Sequence, residues 1–510
     1  MSNMFGAASA KRGVKSFVLG KGVSALSTFL ALSLLVKLVA PAEYGIYVAY
    51  FAIVEISYLL SGFGLSTFAQ KYVTELAVAG QYRFLRKALI FSSALRMAFS
   101  LIYAVAVYAV FSWVAEYFGA RELQKYASLL AVLLVFEIQM RYFVEVFPAL
   151  MWQGASQIVF LIRSLARMAA YLALVLMVDQ ASLALVFQVD LLATLTGCCY
   201  GSIVLIRGVK RFPASKKEER HGGLDLWRVL RVCFQFYFNQ VLGQIYGNNI
   251  LKLLVAKFLG VIQAAYFGFA QSIADMVKNY LPGFLLLGVV RPVFVARYEQ
   301  RKDPKVLSEM FNFVLKMNYF TLFPVVAFVF YVGEPLLNML SHGKFHGVGI
   351  LFLVCLLTLS MQCVHQVLGL INLSMGSPKV SIASTASASL GLVIGLGLAA
   401  QWGVIGFAIG AVLSEFFWST VCIVLLRRAG FHLYVDIKRL LLMVTGCITG
   451  IGLAYPIVLA NHSIFGLLMA GSIAAIACLI ITSFFKPFSA QEREWIRSSL
   501  PKKLSKFFIW

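Results

Sequence analysis

Stretches of about twenty mostly apolar residues recur along almost the whole chain, and this feature constrains the fold more than any other. A helix of that length crosses the ~30 Å hydrocarbon core of a bilayer, and it satisfies its own backbone hydrogen bonds, as a lipid-exposed segment must. The sequence therefore predicts an all-α polytopic membrane protein with about fourteen transmembrane helices. The predicted spans are residues 14–39, 44–67, 88–112, 126–147, 156–178, 182–206, 229–256, 262–290, 312–332, 347–372, 380–400, 404–426, 439–460 and 464–485.

The composition excludes several classes of protein. Hydrophobic residues make up 61% of the chain and charged residues only 13%, whereas soluble proteins have about 45–50% and about 25%. The formal net charge is +23 and the mean hydropathy is +0.86, which excludes the polar basic surface of a nucleic-acid binder. The eight cysteines lie in apolar stretches without metal-ligand spacing, and the chain has no Walker sequence. We therefore expect no disulfide, metal, cofactor or nucleic-acid partner.

The basic residues are distributed unequally between alternate loops. Loops on the side of the N-terminus carry 31 Lys and Arg residues and the opposite loops carry about four. Positively charged loops stay in the cytoplasm, so both termini are predicted to be cytoplasmic. The outer loops are short, the longest being residues 113–125 and 333–346. A folded catalytic domain does not fit there, which argues against a membrane polysaccharide polymerase or another enzyme with catalytic residues outside.

A shift of 220 residues aligns the chain with itself and predicts an internal repeat. The matched polar pairs are Lys37 with Lys257, Glu43 with Gln263, Glu55 with Asp275, Lys71 with Arg291, and Arg96 with Lys316. Six helices per copy give both copies the same orientation, related by a pseudo-two-fold axis along the membrane normal. The predicted parts are an N-terminal lobe (1–206), a basic cytoplasmic linker (207–228), a C-terminal lobe (229–426), an extra helix pair (427–485) and a basic cytoplasmic tail (486–510).

Two strings carry a family resemblance. LVKLVAPAEYGIYVAYFAI and MGSPKVSIASTASASLGLVIGLGLAAQWGVIGFAIGAVLSE resemble polysaccharide flippases of the multidrug/oligosaccharidyl-lipid/polysaccharide (MOP) exporter superfamily, which includes MATE-like transporters. The resemblance implies a flippase that carries a polyprenyl-diphosphate-linked oligosaccharide, such as an O-antigen or exopolysaccharide unit, across the bacterial cytoplasmic membrane by alternating access. It also implies as partners the lipid-linked glycan, membrane lipids and polysaccharide polymerase or export proteins.

Two related transport functions remain open alongside this one. A lipid-linked peptidoglycan precursor flippase also has fourteen spans and a cationic cavity, and the sequence alone separates it poorly from an oligosaccharide flippase. A cation-coupled multidrug exporter needs a cavity rich in carboxylates, and the net-basic spans argue against it.

Basic and amide side chains inside the predicted spans are the candidates for substrate binding. Arginine and lysine bind phosphates, and Asn and Gln suit sugar hydroxyls. We expect two stripes, on the first and seventh spans, to face each other across a cavity, with one further cation per lobe. The alternative is that Lys21, Arg96 and Lys316 extend to cytoplasmic headgroups. The candidates are Lys21, Arg96, Gln240, Gln244, Asn248, Lys252 and Lys316.

Four carboxylates inside spans are candidates for ion coupling, because an unpaired charge at that depth is costly. Glu55 and Asp275 occupy equivalent positions in the repeat, and Asp190 and Glu415 form a less certain second pair. The alternative is a structural carboxylate neutralised by a nearby cation, which for Asp275 is Lys278, one helical turn away.

The fourth and fifth spans carry charges at four-residue intervals, namely Glu137, Arg141 and Glu145 on one and Arg163 and Arg167 on the other. Counting outward from the loop places Glu137 level with Arg167, and Arg141 level with Arg163. We expect a structural ion network with one surplus positive charge. The glycines of 391–410 include two G-x-x-x-G pairs, which predict close helix packing and not a nucleotide loop.

Overall fold

The computed structural model describes residues 7–73, 76–77, 80–150, 152–212, 226–285, 287, 294, 304–375, 378–460, 463–490 and 492–494. Within these ranges the regular structure is helical, as the sequence predicts, and includes a π-helix at Ala69–Val73 and a 3₁₀-helix at Arg121–Tyr126. The chain divides into two compact units, Met1–Gly268 and Phe269–Trp510. The repeat-based lobes stay a prediction. Most of the linker and of the tail lies outside the described residues.

The first unit contains nine complete helices in the described ranges. They are α1 (Ala7–Leu38), α2 (Pro41–Leu60), α3 (Leu65–Phe68), α4 (Tyr82–Tyr117), α5 (Ala127–Ala149), α6 (Gln153–Met177), α7 (Leu183–Arg211), α8 (Leu226–Gln244) and α9 (Asn248–Leu259). Helix α10 (Val261–Tyr280) crosses the boundary between the units. The second unit contains seven more described helices: α11 (Pro282–Leu285), α12 (Pro304–Leu340), α13 (Val348–Met375), α14 (Pro378–Trp402), α15 (Val404–Arg428), α16 (Ile437–Ala460) and α17 (Ile464–Phe484).

Twelve of the described helices are long and apolar enough to cross a membrane, so the chain is a multi-pass membrane protein. They are α1, α2, α4 to α7 and α12 to α17. The sequence predicts two more spans, and the difference lies at 229–256 and 262–290. The first of these is interrupted at residues 245–247, between α8 and α9. The second contains α10, which ends at Tyr280, just before Pro282, a residue that disfavours helical geometry in its predecessor.

Helix α2 is also shorter than the predicted span 44–67. It ends at Leu60, and the turn that follows contains Phe63 and Gly64, both with positive φ. A left-handed backbone at these positions cannot continue a right-handed helix. A β-carbon on Gly64 would lie 2.7 Å from the Cys233 carbonyl oxygen, so the turn also needs glycine for its close contact with α8.

Small residues on α7 bring α5 close enough for polar side chains of the two helices to meet. An added β-carbon on Gly197 would lie 2.9 Å from Met140 Sδ, and one on Gly201 would lie 2.4 Å from the Phe143 ring. Met140 and Phe143 belong to a buried apolar cluster beside the charged residues of α5. The glycines therefore position Glu137 against α7.

Helices α14 and α15 pack through glycine, which confirms the prediction made from the G-x-x-x-G pairs. A β-carbon on Gly395 would lie 2.7 Å from the Gly410 Cα, and one on Gly391 would lie 2.2 Å from the Ser414 backbone nitrogen. Close helix contact through small residues is a common way to associate helices in a membrane. This contact places the residues that follow Ser414 on α15 at a fixed distance from α14.

Candidate functional site

A cluster of charged side chains in the first unit is centred on Glu137 of α5, whose side chain is completely buried. Its carboxylate accepts hydrogen bonds from Arg141 Nε at 2.7 Å and from Thr194 Oγ1 at 3.1 Å. Arg163 Nη2 lies 2.9 Å from the other oxygen. Because both carboxylate oxygens have charged partners, the cost of burying this group is offset by strong charge-assisted hydrogen bonds.

One arm of the cluster reaches α2 and is the more accessible. Arg141 donates two parallel hydrogen bonds to Glu55, at 2.6 and 2.5 Å, and its guanidinium lies 5.0 Å from the centre of the Tyr58 ring. The side chains of Glu55 and Arg141 are 36% and 21% exposed. The Glu55 carboxylate is therefore the part of the cluster that a ligand can approach.

The other arm reaches α7 and is buried. Arg167 Nε lies 2.7 Å from Asp190 Oδ1, and the Asp190 side chain is 1% exposed. Tyr47 on α2 donates to Asp190 Oδ2 at 3.0 Å and accepts a hydrogen bond from Arg167. Four helices thus meet in one set of pairs, which we call the arginine network: Glu55, Glu137, Arg141, Arg163, Arg167 and Asp190.

The expected pairing within this network was wrong in two respects. Glu137 pairs with Arg163 and not with Arg167. Helix α5 ends at Ala149 and α6 begins at Gln153. Counting outward from this turn leaves Arg163 and Arg167 equally far from the level of Glu137, and Asp190 on α7 pairs with Arg167. The expected surplus positive charge is also absent from the network. Glu55 and Asp190 join it, while Glu145, an expected member, bonds to Tyr58 instead, which leaves three acidic and three basic groups.

Tyr58 connects the network to Arg96 and Glu145. Its hydroxyl donates to Glu145 Oε1 at 2.5 Å, and the Arg96 guanidinium lies 5.2 Å from its ring centre. Arg96 is 1% exposed and donates to the Ser61 and Tyr58 carbonyl oxygens at 2.9 and 3.1 Å. Arg96 therefore satisfies carbonyls that the end of α2 leaves without helical partners, and its role in substrate binding stays a prediction.

The polar stripe predicted along the seventh span is interrupted. Gln240 and Gln244 lie on α8, and Asn248 and Lys252 lie on α9, after the break at Gly247. Gln240 is exposed and the other three are half-buried. Lys252 is close enough to Glu55 to interact with its charge. Lys21, on α1, is half-buried.

Lys316 on α12 is 1% exposed and forms a cluster that we call the lysine clasp. Its amine lies 2.8 Å from Asp436 Oδ2, just before α16, and 3.2 Å from Glu492 Oε2. Asn312, one turn earlier, accepts from the Asp436 backbone nitrogen at 2.8 Å. Burial disfavours the Asp436 carboxylate, but the hydrogen bond and charge of Lys316, with a further contribution from Arg439, hold its pKa below the usual range.

The acidic candidates of the second unit have different partners from those expected. Asp275 accepts from Gln271 at 3.2 Å, while Lys278, its expected neutralising cation, donates to Gln362 on α13 at 2.8 Å. Glu415 on α15 lies 2.6 Å from Nδ1 of His365 on α13. The coupling roles of Glu55, Asp190, Asp275 and Glu415 stay predictions, and the first two lie in the arginine network.

Reasoning from the sequence missed Tyr47, Tyr58 and His365. The tyrosines carry no signal of their own in an aromatic-rich span. His365 did carry one, since it is the only histidine inside a predicted span. Across the described residues, no group of three or more His, Cys, Asp or Glu side chains is placed to hold a metal ion.

Comparisons with known proteins agree with this architecture. The sequence profile of a family described as "Polysaccharide biosynthesis protein" matches residues 34–349. A structure of the Lipid II flippase MurJ in an inward closed conformation superposes with a TM-score of 0.62 at 15% identity, covering 94% of this chain and 99% of that one. An inward-facing multidrug resistance MATE family transporter of the MOP superfamily gives 0.61 at 16% identity, covering 79% and 94%. Among curated proteins, no sequence matches this chain.

Proposed function

We propose that this chain, which belongs to the polysaccharide biosynthesis protein family, moves a polyprenyl-diphosphate-linked oligosaccharide from the inner to the outer leaflet of the bacterial cytoplasmic membrane. The observation that carries the proposal is the family match, which spans residues 34–349 and so includes most of the described helices. The chain shares its fold with flippases and transporters, and a flippase changes the position of its substrate without changing its bonds. We infer that it works by alternating access, with both termini in the cytoplasm.

The interrupted helix pair α8 and α9 is the best placed element to receive the charged head of such a substrate. Transporters often bind anionic groups at the N-terminus of a broken membrane helix, where free backbone N–H groups and the helix dipole favour negative charge. Helix α9 begins at Asn248, and Lys252 lies one turn further on. We assign diphosphate contact to Lys252 and sugar contact to the amides of Gln240, Gln244 and Asn248.

Glu55 and Arg141 lie at the accessible end of the arginine network, within electrostatic reach of Lys252. A diphosphate that approached Lys252 would compete with Glu55 for the nearby cations. We infer that Glu55 holds these cations in place while the site is empty. Arg96 and Lys316 are the least suited of the basic candidates, because each is 1% exposed and already bonded to protein oxygens.

The test is transfer of a fluorescent polyprenyl-diphosphate oligosaccharide between leaflets in proteoliposomes, followed by loss of signal to a membrane-impermeant quencher. The wild type is expected to expose the inner-leaflet probe faster than protein-free vesicles. Lys252→Gln is expected to slow transfer at least tenfold, which corresponds to about 1.4 kcal/mol. Lys257→Gln is the matched control, since Lys257 is on the same helix and its amine lies 3.3 Å from the centre of the Tyr117 ring.

Two results separate the parts of the proposal. Equal transfer with and without the wild-type protein rejects the flippase function. Normal transfer by Lys252→Gln, with correct folding, rejects only the assigned binding site.

A lipid-linked peptidoglycan precursor is the second candidate substrate, because the fold extends over 99% of the structure titled "Lipid II flippase MurJ". The same assay separates the two candidates when the headgroup of the probe is changed to a disaccharide pentapeptide. Preference for that probe favours the second candidate, and export of an organic cation in place of either probe favours a multidrug exporter.

A further inference from the structure

The carboxylate of Glu415 differs from those of the arginine network in the chemistry of its partner. Its Oε2 atom lies 2.6 Å from His365 Nδ1, so a hydrogen bond joins a carboxylate to an imidazole. The side chains are 10% and 28% exposed, which leaves part of the imidazole accessible while the carboxylate is nearly buried.

The imidazole of His365 also contacts Trp418. The rings of His365 and Trp418 are stacked, with centroids 3.6 Å apart and planes inclined by 13°. The indole is completely buried and donates from Nε1 to Thr385 Oγ1 on α14 at 3.3 Å. Because Trp418 and Glu415 lie one turn apart on α15, helices α13, α14 and α15 together fix the position of the imidazole.

This arrangement can hold either of two charge states. With a neutral imidazole the pair has a net charge of −1, and with a protonated imidazole it is neutral overall. The face of the indole and the adjacent carboxylate can both attract a cation. The pair can therefore take up and release one proton without breaking its hydrogen bond, which an arginine and carboxylate pair cannot do because the guanidinium stays protonated.

The titratable groups that α10 and α12 contribute nearby are engaged with other partners. From α10, Lys278 donates to Gln362 and Asp275 accepts from Gln271. From α12, Tyr319 donates to the Ser360 carbonyl at 3.1 Å. Cys363, on α13 itself, is buried.

We propose that His365 and Glu415 form a proton-binding site in the second unit, with Trp418 as the residue that positions the imidazole. The place of this proton in a transport cycle rests on the proposed flippase function, whereas its binding does not. Proton uptake strengthens the attraction between α13 and α15, and proton release weakens it. The site thus gives the protein a means to link a proton gradient to a change in helix contact.

The test is the fluorescence of Trp418 as a function of pH, since a protonated imidazole quenches a stacked indole. The purified full-length protein has seven tryptophans, so the signal of Trp418 is taken as the difference between wild type and Trp418→Phe. We expect this difference to fall as the pH is lowered and the imidazole takes up a proton. If Trp418→Phe does not fold, the difference between wild type and His365→Gln gives the same titration.

Three comparisons decide the proposal. His365→Gln is expected to abolish the titration, and Glu415→Gln, which removes the carboxylate 2.6 Å from the imidazole, is expected to change it. His432→Gln, at an exposed position outside the predicted spans, is expected to leave it unchanged. A signal that does not change with pH, or one that changes equally in His365→Gln, overturns the proposal.

Replacing potassium with sodium in the buffer identifies the ion. A midpoint that is the same in both salts supports a proton site, whereas a loss of titration in sodium assigns Glu415 to a metal cation and overturns the proposal. If the fluorescence titrates but the protein does not transfer the glycan, the proton site stands and the flippase function is rejected. If the protein transfers the glycan but the fluorescence does not titrate, the flippase function stands and the proton site is rejected.

Discussion

The two units of this protein bury carboxylates in membrane helices with different partners. In the first unit, Glu55, Glu137 and Asp190 each pair with arginine, at distances of 2.5 to 2.9 Å. In the second, Glu415 pairs with His365. Arginine stays protonated throughout the accessible pH range, whereas histidine changes charge near neutral pH. The difference suggests that the first cluster holds helices together permanently and the second responds to protons.

The largest expected effect comes from breaking the most buried part of the arginine network. Glu137→Gln leaves Arg163 and part of Arg141 without a counter-charge in the interior. Removing one partner of a buried pair costs about 3–5 kcal/mol, so we expect a large fall in unfolding free energy in detergent. The double variant Glu137→Leu with Arg163→Leu removes both charges and should recover part of the loss. A loss below about 1 kcal/mol in the single variant would show that the network does not stabilise the fold.

The lysine clasp lies in the second unit but contains a permanent cation. It therefore tests whether a pair is permanent because of the chemistry of its basic residue or because of the unit in which it lies. Lys316→Met leaves Asp436 and Glu492 without their shared cation and should lower stability by about 2 kcal/mol, the range for charged hydrogen bonds. Because the folded-state pKa of Asp436 is lowered, its contribution is present at neutral pH and is lost as the pH falls below the usual range of aspartate, about 4. Thermal unfolding in that acidic range should depend less on pH in Lys316→Met than in the wild type.

A smaller effect is expected at the pair of His365 and Glu415. His365→Gln keeps a side chain that can donate to Glu415 and should cost about 1 kcal/mol at neutral pH, the usual contribution of one hydrogen bond. Unfolding measurements on this variant and on Glu137→Gln, in the same detergent, compare the two clusters directly. If both variants lose the same stability, the distinction between a permanent and a responsive pair fails.

The smallest effect is expected at an exposed ion pair outside the arginine network, the lysine clasp and the pair of His365 and Glu415. Arg121 Nη2 lies 2.8 Å from Glu116, with side chains 76% and 57% exposed. Exposed ion pairs contribute about 0–1 kcal/mol, so Arg121→Ala should leave the midpoint of thermal unfolding nearly unchanged. A loss as large as that of Glu137→Gln would mean that burial does not govern these energies.

Much of the fold follows from hydropathy alone, since long apolar stretches must form helices in lipid. The all-helical class was predictable for that reason, and the glycine contact of α14 with α15 was predictable from the G-x-x-x-G spacing. The break at residues 245–247 was not, because the four-residue spacing of Gln240, Gln244, Asn248 and Lys252 also fits one continuous helix, whereas Gly247 has an extended backbone.

The site was less predictable than the fold. The charged residues of the arginine network could be found from their rarity in spans, but their partners depend on which helices are neighbours. Arg96 and Lys316 occupy equivalent positions in the predicted repeat, yet one caps α2 and the other binds Asp436. Sequence position alone does not distinguish a cation that caps a helix from one that pairs with a carboxylate, because each role needs only a buried cation.

The flippase function and the proton site are tested most directly by the rate at which the wild-type protein transfers the fluorescent polyprenyl-diphosphate oligosaccharide, with and without a pH gradient across the proteoliposome membrane. We expect transfer above that of protein-free vesicles, a change in rate when the gradient is imposed, and loss of that change in His365→Gln. Transfer at the protein-free rate would contradict the flippase function. An equal response to the gradient in wild type and His365→Gln would contradict the assignment of the responsive pair.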